Sequence, residues 1–278
     1  MTKLVAICGK SGTGKTLVAV HTAMALSYVG IKTLLVGCDQ KQDTVLSLMK
    51  ERGDSLMEGL ERNNFAYDKL QPEAIVRAAT PYLDVLELGP SNLLTGAYGG
   101  VLDEAFHYFQ THHLTALYQV VLFDVGDDRF DSAIAPLLRK AHWVIGVTTE
   151  APESLFVLNR MVRAVLIGGH EFHFPARMLG VINNFSENPL AFNRYVEKTQ
   201  SFPLLTLPRL DDLAALKPFH TTLFSLQKPP RHLDRLVDGF VKISDLLRGD
   251  PLNLYPMMPI PDEDIWRLPP PLARVKEN

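Results

Sequence analysis

The sequence has little cysteine, no long apolar run and no signal for secretion. Its two cysteines among 278 residues, Cys8 and Cys38, each follow an apolar run and form no C-x-x-C pattern. This arrangement favours buried thiols in a reducing compartment and implies no disulfide framework. No uninterrupted apolar segment is long enough to span a bilayer. The amino terminus also lacks the apolar stretch and small-residue cleavage site of a signal peptide, so we expect a cytoplasmic protein.

An excess of one charge is also missing. The chain carries 28 lysines and arginines against 31 aspartates and glutamates, which gives a net charge of -3. No global positive field would attract nucleic acid or anionic lipid, so there is no strong signal for either partner. With 46% hydrophobic and 21% charged residues, the composition excludes disorder and fibres and permits a full globular core.

Short apolar runs alternate with longer segments of helical periodicity through most of the chain. This alternation is typical of βαβ units with a buried parallel sheet. The predicted strands are residues 4–8, 33–37, 83–88, 119–125, 143–149, 176–184 and 202–208. The predicted helices are residues 16–28, 44 to about 50, 99–112, 130–140 and 154–166, the last ended by Gly168-Gly169. The pattern predicts an α/β fold, a mostly parallel twisted sheet flanked by helices on both faces.

The carboxy-terminal residues differ in composition from the rest. Residues 232–248 carry apolar side chains at three- and four-residue steps, which predicts an amphipathic helix docked on the sheet. From Asp250 onward, closely spaced prolines exclude helix and sheet and favour an extended path. This tail either lies on its own domain, through residues such as Trp266, or offers a strip to a partner. We therefore divide the chain into a main domain, 1–228, a docked helix, 229–249, and a proline-rich tail, 250–278.

Residues 9–16 read GKSGTGKT and fit the phosphate-loop pattern G-x-x-x-x-G-K-[ST]. A predicted strand leads into this loop and a predicted helix leaves it, so backbone N–H groups and the helix dipole would converge on anionic oxygens. Lys15 would balance the β and γ phosphates, and the Thr16 hydroxyl would be a ligand to Mg²⁺. The loop predicts a P-loop NTPase that binds a nucleotide and Mg²⁺. The nucleotide-binding candidates in the loop are Gly9, Lys10, Gly12, Thr13, Gly14, Lys15 and Thr16.

Lys10 is a second lysine in a loop that usually needs one. A solvated side chain is the simplest interpretation. The whole loop, however, resembles the deviant Walker A loop of the superfamily that contains nitrogenase iron protein, the chlorophyll-reductase iron proteins, and the MinD and ParA positioning ATPases. In that superfamily the extra lysine reaches the nucleotide held by the other subunit of a dimer. The resemblance implies that Lys10 acts catalytically in trans and that the chain forms a homodimer on binding ATP.

Residues 36–44, VGCDQKQDT, are similar to switch I of the iron proteins. Asp39 and Asp43 match the two carboxylates of that segment, and Thr44 follows them as a nucleotide-binding candidate. A carboxylate just past a parallel strand can accept a proton from the attacking water or hold a water bound to Mg²⁺. We therefore expect catalytic roles for both aspartates, and contact of Asp39 with the metal through water.

Residues 120–128, VVLFDVGDD, resemble a Walker B strand that continues into switch II. Asp124 would hold Mg²⁺ through water, and Gly126 with Asp127 would sense the γ-phosphate. An aspartate after a hydrophobic run can also be a helix N-cap, and this alternative stays open for Asp124, Asp127 and Asp128.

Two later segments occur where the superfamily holds the adenine base. Asn183 lies in INN, residues 182–184, and Pro208 and Asp211 lie in LPRLDD, residues 207–212. The resemblance implies that these three residues read or cover the base, although each could also be a turn residue. No N-K-x-D run is present, so recognition of guanine is unsupported and ATP or ADP is the expected nucleotide.

The sequence departs from the iron proteins at the cluster ligands. Those proteins hold one [4Fe–4S] cluster between two subunits, each of which gives two thiolates. Here Ala97 and Phe130 stand about where the thiolates would be, and neither can ligate iron. We expect no cluster in this protein.

The resemblance and its departures favour an ATPase that dimerises on ATP and binds and releases a partner protein. Its work would be the assembly or regulation of a complex that contains a metal or cofactor, and nothing in the sequence identifies the client. One alternative is a positioning ATPase of the MinD and ParA kind on membrane or DNA. The acidic DED run at residues 262–264, in the proline-rich tail, disfavours its binding to a membrane. Another is a nucleotide-binding pseudo-enzyme that serves as a scaffold.

Overall fold

The computed structural model describes residues 2–39, 42–49, 51–90, 98–126, 134–138, 140–172, 177–185, 190–199, 203–208, 222–226, 233–249 and 258–269. Within these ranges the strands are β1 (Lys3–Gly9), β2 (Thr33–Gly37), β3 (Arg77–Thr80), β4 (Leu83–Glu87), β5 (Val120–Asp124), β6 (Trp143–Thr148), β7 (Arg177–Phe185) and β8 (Pro203–Pro208). The α-helices are α1 (Lys15–Tyr28), α2 (Asp43–Leu46), α3 (Leu56–Arg62), α4 (Tyr98–Thr111), α5 (Ala135–Leu138), α6 (Pro152–Phe172), α7 (Leu190–Thr199), α8 (Asp234–Arg248) and α9 (Asp262–Trp266).

The strands form one sheet in the order β3-β4-β2-β5-β1-β6-β7-β8. All neighbouring pairs are parallel except β3 with β4, which are antiparallel. The predicted fold class, a mostly parallel sheet of the P-loop NTPase type, is confirmed. The edge strand β3 was not predicted because its sequence, RAAT, has no apolar run and its side chains are half-buried or exposed.

Alternate strand residues face two separate apolar layers. In β1, Val5 and Ile7 pack in the layer that contains α1 and α8. Ala6 and Cys8 pack in the opposite layer, which contains α3 to α7 and α9. Both layers are fully buried along the central strands, which explains why those strands read as continuous apolar runs. Because these strands are parallel, their carboxyl ends lie at one edge of the sheet, where the phosphate loop leaves β1.

Several predicted helices differ from the observed ones. Helix α6 continues through Gly168-Gly169 to Phe172, so the predicted stop was wrong: each glycine costs a helix only roughly 1 kcal/mol and does not by itself end it. Helix α2 ends at Leu46 rather than near residue 50. Helix α3 was missed, although Ser55 and Glu58 form a capping box at its start, a signal that the sequence does carry.

The tail is not extended throughout. Helix α9 lies inside the stretch for which the prolines excluded helix, so that prediction was wrong for these five residues. Pro261 stands at the N-cap and three acidic residues fill the first turn, where they are favoured by the helix dipole. The prolines therefore border a short helix instead of preventing one.

The carboxy-terminal elements pack on both layers. Helix α8 packs against α1 and β8 with Phe240 and Leu247 fully buried. On the opposite layer, the Asn159 side chain of α6 donates to Ile260 O at 2.8 Å and accepts from Ile260 N at 2.9 Å. Trp266 lies beside Phe156 but is 55% exposed. No helix in the described ranges is long and apolar enough to cross a bilayer.

Candidate functional site

The loop between β1 and α1 has the backbone shape that close contact with phosphate requires. Gly12 and Gly14 adopt φ values of 81° and 87°, which favour glycine because side chains rarely tolerate this region. A Cβ at Gly9 would overlap the carbonyl oxygen of Val147 in β6, so only glycine fits there. Thr13 closes the loop, with its amide and hydroxyl both donating to Lys10 O, at 3.3 and 2.8 Å.

The two loop lysines have different surroundings. Lys15 is buried and its Nζ donates to Lys10 O at 3.1 Å, which places the ammonium inside the loop. The side chain of Lys10 is half-buried and makes no ion pair or hydrogen bond within the part of the chain that the structure describes. The Lys15 ammonium therefore lies within the loop of its own chain, whereas the Lys10 ammonium has no partner among the described residues.

Asp124 lies at the end of β5, behind the first turn of α1. Its Oδ2 accepts a hydrogen bond from the Thr44 hydroxyl at 2.8 Å, while Oδ1 is buried without a hydrogen-bond partner among the described residues. Burial raises the pKa of Asp124 to about 6, although hydrogen bonds from Thr16 and Thr44 and the charge of Lys15 oppose the shift. Together Thr16 and the spare carboxylate oxygen provide the oxygen donors that Mg²⁺ prefers.

The two switch segments touch each other at this edge. A Cβ on Gly126 would lie 2.5 Å from Asp39 Cβ and 2.8 Å from Asp39 Cα, so the contact has no room for a methyl group. Asp43 begins α2 beside them. The loop, the switches and α1 enclose a pocket of about 290 Å³. Its lining residues are Ser11, Gly12, Gly14, Lys15, Thr16, Leu17, Val20, His21, Asp39, Asp43, Ser47, Gly126 and Thr222.

Of the three predicted base-binding residues, the structure describes two. Asn183 lies in β7 and Pro208 ends β8, the neighbouring parallel strand, so both backbones reach the edge where the phosphate loop lies. Asp127 and Asp211 lie outside the described residues.

His21 is a pocket residue that the sequence did not reveal. Its ring is 4% exposed and stacks on Phe240 of α8 at 5.4 Å between ring centroids. Nε2 accepts from the Leu223 amide at 3.4 Å, so Nδ1 carries the proton and donates to Leu17 O at 2.9 Å. Burial lowers the pKa of His21 to about 4, against the opposing hydrogen bond to Leu17. A neutral imidazole therefore joins α1 to the segment around Leu223.

Glu87 is the second residue that sequence reasoning missed. It ends β4, is 4% exposed, and accepts a hydrogen bond from the Val45 amide at 2.6 Å through Oε1. Burial raises the pKa of Glu87 to about 8, partly offset by the Val45 hydrogen bond and reinforced by the charges of Asp124, Asp43 and Asp39. A glutamate at the end of an apolar strand, two residues before Gly89-Pro90, was the signal available in the sequence.

Comparison with known proteins assigns the chain to a family. A family model described as "4Fe-4S iron sulfur cluster binding proteins, NifH/frxC family" matches residues 3–266. The chain belongs to the NifH/frxC family. Because these residues include the phosphate loop and both switches, the predicted superfamily is confirmed.

Known relatives of this NifH/frxC chain agree with the assignment. The light-independent protochlorophyllide reductase iron-sulfur ATP-binding protein of Rubrivivax gelatinosus is 30% identical over 267 residues, which cover 96% of this chain and 87% of the relative. A ParA family ATPase from Chlorobium tepidum has a TM-score of 0.66 at 18% identity, covering 88% of this chain and 99% of that structure. MinD from Pyrococcus horikoshii, complexed with Mg-ADP, has a TM-score of 0.63 at 16% identity, covering 88% and 95%. The structural likenesses show the shared fold.

The family's description implies a [4Fe–4S] cluster, whose ligands are cysteine thiolates. Cys8 and Cys38 are both buried in the layer that contains α3 to α7, and burial raises the pKa of Cys8 to about 12. Cys38 directly follows β2, and its Sγ donates a hydrogen bond to Val36 O of that strand at 3.7 Å. Thiols buried inside the core cannot reach a group shared with a second subunit, so the cysteines present do not fit such a cluster.

Proposed function

We propose that this chain is a Mg²⁺-dependent ATPase of the cytoplasm that dimerises on ATP and binds and releases a partner protein. The observation that carries the proposal is the pair of loop lysines. The Lys15 ammonium lies inside its own phosphate loop, and the Lys10 ammonium has no partner within the described residues. A loop cation without a partner among the described residues is suited to the triphosphate of a second subunit.

The site residues have distinct parts in hydrolysis. Thr16 and Asp124 would hold Mg²⁺, which supplies charge neutralisation at the phosphate oxygens when bound. Lys15 stabilises negative charge on the β and γ phosphates, and Lys10 of the second subunit adds a cation that matters most in the transition state. A switch carboxylate, Asp39 or Asp43, orients the attacking water. Asn183, Pro208 and Asp211 are proposed to contact the base, and Asp127 to sense the γ-phosphate.

The proposed partner is a protein, and the switch works without a cluster. The thiols of the described core do not fit iron ligation, so ATP hydrolysis would drive a change of binding partner rather than electron transfer. The close contact between Asp39 and Gly126 would couple the two switches, because a shift of switch I towards Gly126 would displace switch II. As purified without oxygen, the protein is expected to be colourless and free of iron; stoichiometric iron with visible absorbance would restore a redox function.

Complementation between two inactive variants tests the role of Lys10 in trans. Lys15→Ala should abolish nucleotide binding, whereas Lys10→Ala should bind ADP normally and lose at least about a hundredfold in turnover. In a mixture, Lys10 of the Lys15→Ala subunit can complete the intact phosphate site of the Lys10→Ala subunit. Random pairing would restore about a quarter of wild-type activity, because half of the dimers are mixed and each has one working site. This is the upper value, since the Lys15→Ala subunit brings no nucleotide of its own to the dimer.

The controls for this experiment separate a cation in trans from a cation in cis. Lys69→Ala removes an exposed lysine far from the loop and should leave turnover unchanged. A mixture that stays inactive although mixed dimers form in the presence of ATP, under conditions where the wild type turns over, would contradict the trans role. Wild-type protein that binds ATP and shows no turnover would contradict the ATPase itself.

A further inference from the structure

Glu87 belongs to a row of residues that end three neighbouring strands. The strand register pairs Gly37 of β2 with Glu87 of β4 on one side and with Asp124 of β5 on the other. Residues in one row of a parallel sheet point to the same face, which here is the face of α1 and α2. Because Gly37 has no side chain, a gap separates the two carboxyl groups.

The first turn of α2 fills this gap. A Cβ at Gly37 would overlap the Glu87 carboxyl and lie 2.8 Å from Thr44 Cβ, so the glycine is what admits Thr44. The Thr44 hydroxyl donates to Asp124 at 2.8 Å, and the next residue, Val45, donates its amide to Glu87 at 2.6 Å. Carboxyl groups on two different strands therefore hold successive residues of switch I.

Among the described residues, no side chain next to α2 in the sequence accepts the Val45 amide. The first amides of a helix lack an intrahelical acceptor and usually find one in the N-cap side chain. Gln42, at the N-cap of α2, makes no such bond, and its backbone adopts φ 53°. Val45 is 4% exposed, so solvent has little access to its amide. Glu87 supplies the missing acceptor from a strand more than forty residues away.

The burial of Glu87 lowers the free energy of unfolding, so a contribution to overall stability does not account for a carboxyl group at this position. Its Oε2 is buried without a hydrogen-bond partner among the described residues. A buried polar atom left unpaired destabilises the fold, and an apolar side chain would avoid that penalty. Retaining a carboxyl at this point is reasonable where the placement of α2 matters more than stability.

We propose that Glu87 is a positioning residue for switch I, which holds the first turn of α2 and thereby fixes Asp39 and Asp43 relative to the phosphate loop. It acts through Val45 and Thr44 and touches no reacting atom. The inference deepens the proposed ATPase function and depends on it only for the effect on turnover.

Three substitutions at Glu87 test the hydrogen bond. Glu87→Ala removes the acceptor, Glu87→Asp withdraws it by one methylene, and Glu87→Gln keeps an oxygen at the same reach. Asp84→Ala is the matched control, because Asp84 lies on the same strand and accepts from Tyr118 Oη at 2.9 Å at the other end. Amide hydrogen exchange of the peptide covering residues 43–48 reports on α2, and steady-state ATP hydrolysis reports on the site.

Glu87→Ala and Glu87→Asp should speed exchange of residues 43–48 by about tenfold or more, whereas Glu87→Gln stays within about threefold of wild type. Turnover should fall in parallel while the Kd for ADP changes by less than about threefold, since the phosphate loop is untouched. Asp84→Ala should lower the denaturation midpoint without either effect.

Two results would overturn the inference. One is unchanged exchange of residues 43–48 in Glu87→Asp, which retains a carboxyl and serves as the test if Glu87→Ala does not fold. The other is an equal fall of turnover in Glu87→Gln and Glu87→Asp, which would mean that reach to Val45 is irrelevant. Absence of ATP hydrolysis in the wild type would refute the proposed function, and the exchange comparison would still decide the role of Glu87.

Discussion

Acid should destabilise this protein through His21. The imidazole is held neutral between the Leu17 carbonyl, the Leu223 amide and the Phe240 ring. Protonation puts a hydrogen on Nε2, which then can no longer accept from Leu223, and leaves a charge inside the apolar contact between α1 and α8. The pKa of His21 falls from 6.5 to about 4 on folding because of this burial.

The sign and size of the effect follow from proton linkage. Between pH 6.5 and about 4, His21 binds a proton in the unfolded chain but not in the folded one. The contribution of His21 to the free energy of unfolding is therefore fully present above pH 6.5 and is lost as the pH falls towards 4. The full shift corresponds to about 3 kcal/mol of unfolding free energy, and the part lost between pH 7.5 and 5.0 is about 2 kcal/mol.

Comparison with a variant that cannot titrate isolates this contribution. Urea denaturation of wild type and His21→Gln at pH 7.5 and 5.0 should show that the wild type loses about 2 kcal/mol more than the variant. His107→Gln replaces an exposed histidine and should behave as the wild type does. Nitrogen-15 NMR of the ring should show Nδ1 protonated in the folded state at neutral pH.

Equal losses in the wild type and in His21→Gln would refute the reasoning. So would a folded-state titration of His21 near 6.5, or a ring protonated on Nε2 at neutral pH, because Leu223 could then not donate to it.

Two further predictions concern contacts between distant parts of the chain. Gly126→Ala should lower ATP turnover by about tenfold or more, with ADP affinity retained, because the methyl group displaces Asp39. Gly249→Ala is the control, since a methyl group fits there. Normal turnover in Gly126→Ala would show that the switches need no direct contact. Asn159→Leu should cost about 1–3 kcal/mol of unfolding free energy by urea denaturation, since it leaves the Ile260 amide unpaired, while the Ile260 carbonyl keeps its hydrogen bond from Arg163. Arg194→Ala, at an exposed ion pair, should change stability by less than about 1 kcal/mol, and a similar small loss in Asn159→Leu would mean that residues 258–269 add little to the fold.

Much of the fold and part of the site were predictable because their signals are local. Each parallel strand is buried on both faces and therefore reads as an apolar run, and the seven runs became β1, β2 and β4 to β8. The loop at residues 9–16 likewise carries its own turn, glycines and helix start. The edge strand β3 depends on pairing with β4, and helix α9 on packing against α6. The sequence pattern therefore missed β3 and wrongly excluded α9.

The sequence by itself determined the seven apolar strands of the mostly parallel sheet, the phosphate loop and the order of the switch segments. Each of these depends on residues that are neighbours along the chain. Only the tertiary structure decided which side chains meet: His21 with Leu223, Asn159 with Ile260, and Glu87 with Val45. A polar group's pKa and role depend on the partners and burial that folding brings to it. Residues far apart in the chain supply those partners, so no local pattern of residues encodes them.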